Sequence, residues 1–153
     1  MSDPVVLVGI RDVLRRLNFL RHNIQDRRVL DEVGMMFIAR IQARTAEGKD
    51  VDDIAFEPYS PKYKLFRAKT GRTTEKVNLF YTGSMMSSMT HEATKDQVTL
   101  FFANTEDPSG TKNPLKAYFL NQERRFFAIN SEDRVRALDI INRHIRRQLR
   151  RRR

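Results

Sequence analysis

Apolar residues along the chain fall into short periodic stretches separated by polar, turn-rich segments, and the period of each stretch names the element it should form. Val5, Val6, Leu7 and Val8 make an apolar, mostly β-branched run between Pro4 and Gly9, which predicts a strand or an extended arm over residues 1–9. From there the apolar positions are Ile10, Val13, Leu14, Leu17 and Leu20. This is the i, i+3, i+4, i+7 spacing of one helical face, so a short helix is predicted over 10–21. A second helix should start at Asn23 or Asp26 and end near Gly48, on a stripe of Leu30, Val33, Phe37 and Ile41 widened by Val29 and Met36. Gly34 inside it costs about 1 kcal/mol relative to Ala, which predicts close packing against a neighbouring backbone.

Residues 48–74 are polar and turn-rich. Pro61 reads as the first residue of a short helix reaching Lys69, with Ser60 as its cap. Beyond Thr82-Gly83-Ser84, the stretches Met85 to Ala93 and Gln97 to Asn104 flank Thr94-Lys95-Asp96. Val98, Leu100 and Phe102 alternate with their neighbours, so the pair is predicted to be an antiparallel hairpin. Residues 105–114, rich in Pro, Gly, Asn and Asp, read as a surface loop. One or two helical turns are expected over Leu115 to Glu123, and a short strand over Arg125 to Ile129. Ser131, Glu132 and Asp133 place a cap and two acids at the start of a final helix with a stripe of Val135, Leu138, Ile141, Ile145 and Leu149. The adjacent pairs Phe101-Phe102 and Phe126-Phe127 suggest that both faces of the hairpin sheet are covered, by the chain itself or by another subunit. The expected fold is α+β: a small antiparallel sheet built round a hairpin and packed with a long helix in the N-terminal half and a C-terminal helix.

Composition sharpens this picture. A chain of 153 residues with 40% apolar residues can close one core, and a single domain spanning 1–153 is expected. No apolar window approaches the ~18 residues of a membrane span, and Met1-Ser2-Asp3-Pro4 lacks the build of a secretory signal, so no membrane partner is expected. With no cysteine, disulfides, thiolate metal sites and a Cys nucleophile are excluded, and the chain suits a reducing cytosol. The net charge is +10, yet the last eleven residues hold seven arginines and no acid, leaving +3 for the rest. Residues 146–153 therefore read as a basic C-terminal tail. Arg143, Arg146, Arg147, Arg150, Arg151, Arg152 and Arg153 are candidate contacts for DNA or for an acidic partner.

Catalytic chemistry does not assemble from the residue pattern, so no enzyme, cofactor or metal is expected. His22, His91 and His144 are scattered with no metal-ligand spacing. Ser84 lacks the second glycine of a nucleophile elbow, and Lys69-Thr70-Gly71-Arg72-Thr73 lacks the first glycine of a phosphate loop. Asp50, Asp52 and Asp53 form no calcium-loop pattern. Basic residues interleaved with aromatics from Tyr59 to Arg67 suit either base stacking or alkyl stems lying over a hydrophobic patch.

The segment from Phe56 to Met89 resembles the tail-completion, or virion-morphogenesis, proteins of tailed bacteriophages. The residues that carry the likeness are Phe56, Pro58, Ser60-Pro61-Lys62-Tyr63, a basic stretch from Lys64 to Lys76, Leu79, Thr82-Gly83-Ser84 and Ser87-Ser88. Ala117, Gln122 and Arg125-Phe126-Phe127 extend it, so that it spans roughly residues 25–150. The chain departs from the pattern where Phe56 replaces a Trp, where Val51-Asp52-Asp53 replaces a Pro-Asp-Gly turn, and in lacking a Pro shortly before Arg125. The resemblance implies a structural neck protein of the virion, assembled in the host bacterial cytoplasm. It would form a homo-oligomeric ring of six copies that joins head-tail connector proteins to tail-tube or tail-terminator proteins, in passing contact with phage DNA. Ring subunits need two different surfaces, and Val5, Val6, Leu7, Val8, Phe101 and Phe126 are the candidate interface residues. The alternative is a nucleic-acid-binding protein that uses its Arg-rich C-terminus.

Overall fold

The computed structural model describes residues 26–151. The arm expected over 1–9, with its interface candidates Val5, Val6, Leu7 and Val8, and the helix expected over 10–21 lie outside the described residues, as do Arg152 and Arg153. The described elements run in the order α1 (Arg27–Ala46), α2 (Pro61–Lys69), α3 (Ser84–Ser87), β1 (Met89–Ala93), β2 (Val98–Phe102), α4 (Asn113–Glu123) and α5 (Ser131–Arg151). This is the α+β arrangement expected from the sequence: one antiparallel hairpin packed with a long first helix and a C-terminal helix.

α1 begins where Asp26 accepts a hydrogen bond from the Arg28 amide, and it buries Val29, Leu30, Val33, Phe37 and Ile41 on one stripe. That stripe lies on the hairpin, whose register pairs Met89 with Phe102, His91 with Leu100 and Ala93 with Val98. Cross-strand partners share a face, so these six residues form the face toward α1. Gly34 sits against it, but what it accommodates is side chain rather than backbone. A Cβ there would run into the His91 ring and lie 2.9 Å from Val98. The other face, Thr90, Glu92, Thr99 and Phe101, is half-buried or exposed. The sheet is therefore fully covered on one side only, and Phe101 belongs to the open side.

The first strand is shorter than the sequence suggested. Ser84 to Ser87 form a helical turn, because Met85, Met86 and Met89 are all buried. Neighbours that both point inward cannot do so in an extended strand. The expected strand over Arg125 to Ile129 is irregular for the same reason. Phe126 and Phe127 are both fully buried, with Phe102 4.8 Å from Phe127 and 6.3 Å from Phe126, centroid to centroid. Phe126 is thus a core residue and cannot serve as the interface residue it was expected to be.

Two further expectations shift along the chain. Asn113 and Pro114 belong to α4, which runs for three turns with Asn113 and Ala117 buried, so the loop ends at Lys112. At the start of α5 the cap is Asn130 rather than Ser131. Its side chain accepts from the Asp133 amide (2.9 Å) while its own amide donates to the Asp133 carboxylate (3.0 Å), a reciprocal capping box where only a simple cap, one residue later, was expected. The buried seam of α5 is correspondingly Asp133, Ala137, Ile140 and Ile141, and Val135 is exposed.

α5 runs antiparallel to α1. Asp133 meets Arg40 and Arg44 near one end, and His144 meets Asp26 near the other at 3.6 Å. The basic run is not a tail through Arg151, because residues 146–151 continue the helix.

Candidate assembly surface

The Phe56 to Met89 segment folds as a helix and a return strap held together by one buried cation. Ser60 accepts from the Tyr63 amide (3.3 Å) and Pro61 opens α2, as its fixed φ and missing N–H allow. Tyr59, Tyr63 and Arg67 are spaced four residues apart and so share a face. The Arg67 guanidinium lies 4.7 Å from the Tyr59 ring centre and 5.9 Å from that of Tyr63. Arg67 is 1% exposed. It donates through Nε to the Thr73 carbonyl (2.8 Å) and through both terminal nitrogens to the Phe80 carbonyl (3.1 Å), tying α2 to the returning chain. Its burial was not expected from a reading of surface stems; the Tyr59, Tyr63, Arg67 spacing was the available signal.

The remaining motif residues are placed around this hub. Phe56 is buried and its amide donates to the Gly48 carbonyl (2.8 Å), while Pro58 is exposed. Leu79 packs against the core at a φ of 53°. Gly83 has φ 84°, a left-handed backbone that favours glycine, and it lies against the Phe80 ring. Thr82 is exposed. Ser84, read from the sequence as a turn serine, is a junction: its hydroxyl accepts from the Asn113 side-chain amide (2.9 Å), which also donates to the Thr105 hydroxyl (2.8 Å). Motif, loop and α4 therefore meet at one buried asparagine.

The loop at 105–112 closes on itself. Asp107 accepts from the Ser109 hydroxyl (2.6 Å), from the Ser109 and Thr111 amides (2.9 and 3.1 Å), and from the Lys116 ammonium (2.9 Å). These donors, the Ser109 hydroxyl first and then Lys116, hold its carboxyl well below the usual carboxylate range. The loop is thus a rigid bracket rather than a free connection.

What this scaffold presents outward is apolar. On α2, Lys62, Leu65, Phe66 and Lys69 face away from Arg67, with Leu65 66% and Phe66 49% exposed. Tyr63, Phe66 and Tyr81 stack in series at 6.0 and 5.8 Å, with Arg72 over Tyr81 at 5.2 Å. On α4, Leu115, Tyr118 and Phe119 face away from buried Asn113 and Ala117. Phe80 is also exposed and lines a groove with Gly83, Ser84, Glu106 and Pro108.

Basic and titratable residues are distributed differently. Arg143, Arg146, Arg147 and Arg150 line one groove on α5 with Asp139 and Asn142. Arg151 continues that helix. His91 bonds to Asp31 at 2.8 Å, and His144 lies between Asp26 and Gln148. Among the described residues no group of three or more His, Asp or Glu could hold a metal ion, and no helix is long and apolar enough to cross a membrane. Compared with protein-family models, curated proteins and solved structures, the chain matches none.

Proposed function

We propose that this chain is a structural component of a tailed-phage neck, a non-catalytic tail-completion protein that assembles as a ring between the head connector and the tail. The observation that carries the reading is the division of labour within the Phe56 to Met89 segment. The residues that resemble the family pattern, among them Phe56, Ser60, Pro61, Leu79, Gly83 and Ser84, cap, turn or anchor the fold. Around them, Leu65, Phe66 and Phe80 are large, apolar and exposed. Together with Leu115, Tyr118 and Phe119 on α4, they supply exposed apolar side chains on two different helices, and a head-to-tail ring needs two different surfaces.

Native mass spectrometry and negative-stain microscopy of the purified chain, together with proteomics of mature particles, test this. A closed ring, presence in virions and tails that fail to join heads in its absence are the expected results. A chain that stays monomeric and is absent from particles, or tails that join heads normally without it, overturns the reading.

A further inference from the structure

The outward face of α5 is a cationic strip in which four arginines outnumber a single carboxylate, Asp139. Arg143, Arg146, Arg147 and Arg150 are all exposed, and their i, i+3, i+4, i+7 spacing stacks them along about 10 Å of one helix face. Among the described residues, no carboxylate forms an ion pair with any of these four, whereas Arg40, Arg44, Arg124, Arg125 and Arg136 each have one. The strip also lies beyond the contact of α5 with the start of α1. His144 is opposite Asp26, where α1 begins, so the turns that follow run past the start of α1.

The lining of the groove decides what would neutralise it. Asp139, Asn142 and the four arginines are all polar, so the groove offers none of the aromatic or aliphatic anchors that form the centre of a protein interface. Those anchors sit elsewhere, on α2 and α4. A strip made of planar guanidinium forks, with nothing apolar to desolvate, matches a row of phosphates, each able to accept two parallel hydrogen bonds. We infer that this face of α5 binds the phosphate backbone of a nucleic acid, positioning it without reading its sequence. The assignment stands apart from the neck reading, since it requires neither a ring nor a virion.

Fluorescence anisotropy of the full chain with a labelled 20-bp DNA duplex of arbitrary sequence, between 50 and 200 mM NaCl, tests the site. Each arginine that contacts a phosphate contributes about −0.9 to the slope of log K against log salt. Replacing all four, R143Q/R146Q/R147Q/R150Q, should reduce the slope by about 3 to 4 in magnitude and weaken binding at 50 mM by roughly 100-fold. The four Arg→Lys replacements should keep the slope. K62Q/K64Q/K69Q, on the other basic surface, should change affinity by no more than about twofold. Circular dichroism checks each fold, and single Arg→Gln variants, each lowering the slope by about 0.9, replace the quadruple one should it not fold. Absence of binding at 50 mM, a slope unchanged by the glutamines, or displacement of the duplex by polyglutamate at equal charge concentration overturns the inference; the last would assign the face to an acidic protein.

Discussion

Two carboxylates show how single residues hold this molecule. Asp133 is fully buried and meets Arg40 and Arg44 while closing the α5 capping box, and Arg44 also donates to the Ala128 carbonyl at 2.8 Å. Its bond to Arg40 raises the pKa of that guanidinium further. Asp133→Ala would strand Arg44, itself 6% exposed, and should cost about 3–5 kcal/mol in urea unfolding. Asp107 instead makes stability depend on acid. Its folded pKa is depressed, so its contribution is fully present above the unfolded value of about 3.9 and is lost as pH falls toward the folded value. Unfolding midpoints measured from pH 6 down to pH 2 should fall less steeply below pH 4 in Asp107→Asn than in the parent chain. At pH 6 the variant should already be the less stable of the two, having lost the Lys116 pair.

Whole elements are tied together by close approach and by one buried cation, and the two ties give different tests. Gly34→Ala gains about 1 kcal/mol of helix propensity but drives a methyl into the His91 ring and Val98. The ring cannot swing away freely, because Asp31 holds it at 2.8 Å and Val98 is buried in the hairpin. Overpacking of about 1–3 kcal/mol should therefore outweigh that gain, and thermal unfolding should show a net loss of up to about 2 kcal/mol. Arg67→Ala removes three hydrogen bonds between α2 and the strap at 73–80. Amide exchange in α2 and the strap should accelerate more than in α1, because α1 is held by the hairpin and α5.

The same contrast explains what the residue pattern could reveal about the fold. α1 and α2 were legible because Asp26, Ser60, Pro61 and the Val33, Phe37, Ile41 stripe are local signals. Met85-Met86 and Phe126-Phe127 were not, since a pair of adjacent buried residues follows no period and is placed by distant partners such as Phe102. In the candidate site, Gly83 was legible as a turn. The junction of Ser84 with Asn113 was not, because 29 residues separate its two members.

Among the described residues, the arginine strip and the exposed aromatics of α2 and α4 lie on different helices. The net charge of +10 is concentrated in the last stretch of the chain, where α5 carries arginines and no exposed anchor in its groove. The apolar faces of α2 and α4 are the surfaces that the proposed ring would use. In a head-to-tail ring each copy contributes one of these surfaces to each neighbour, and that geometry makes a demand that a two-fold dimer would not. L65E/F66E should block one surface and Y118E/F119E the other, and each variant alone should sediment as a monomer. Both should retain the parent melting temperature within a few degrees, because all four side chains are about half or more exposed. Mixed in equal amounts, the two variants retain one intact pair of surfaces, and sedimentation velocity should show dimers and nothing larger. Rings from either variant alone, or no association on mixing while the parent chain forms rings, would show that α2 and α4 are not the surfaces that meet.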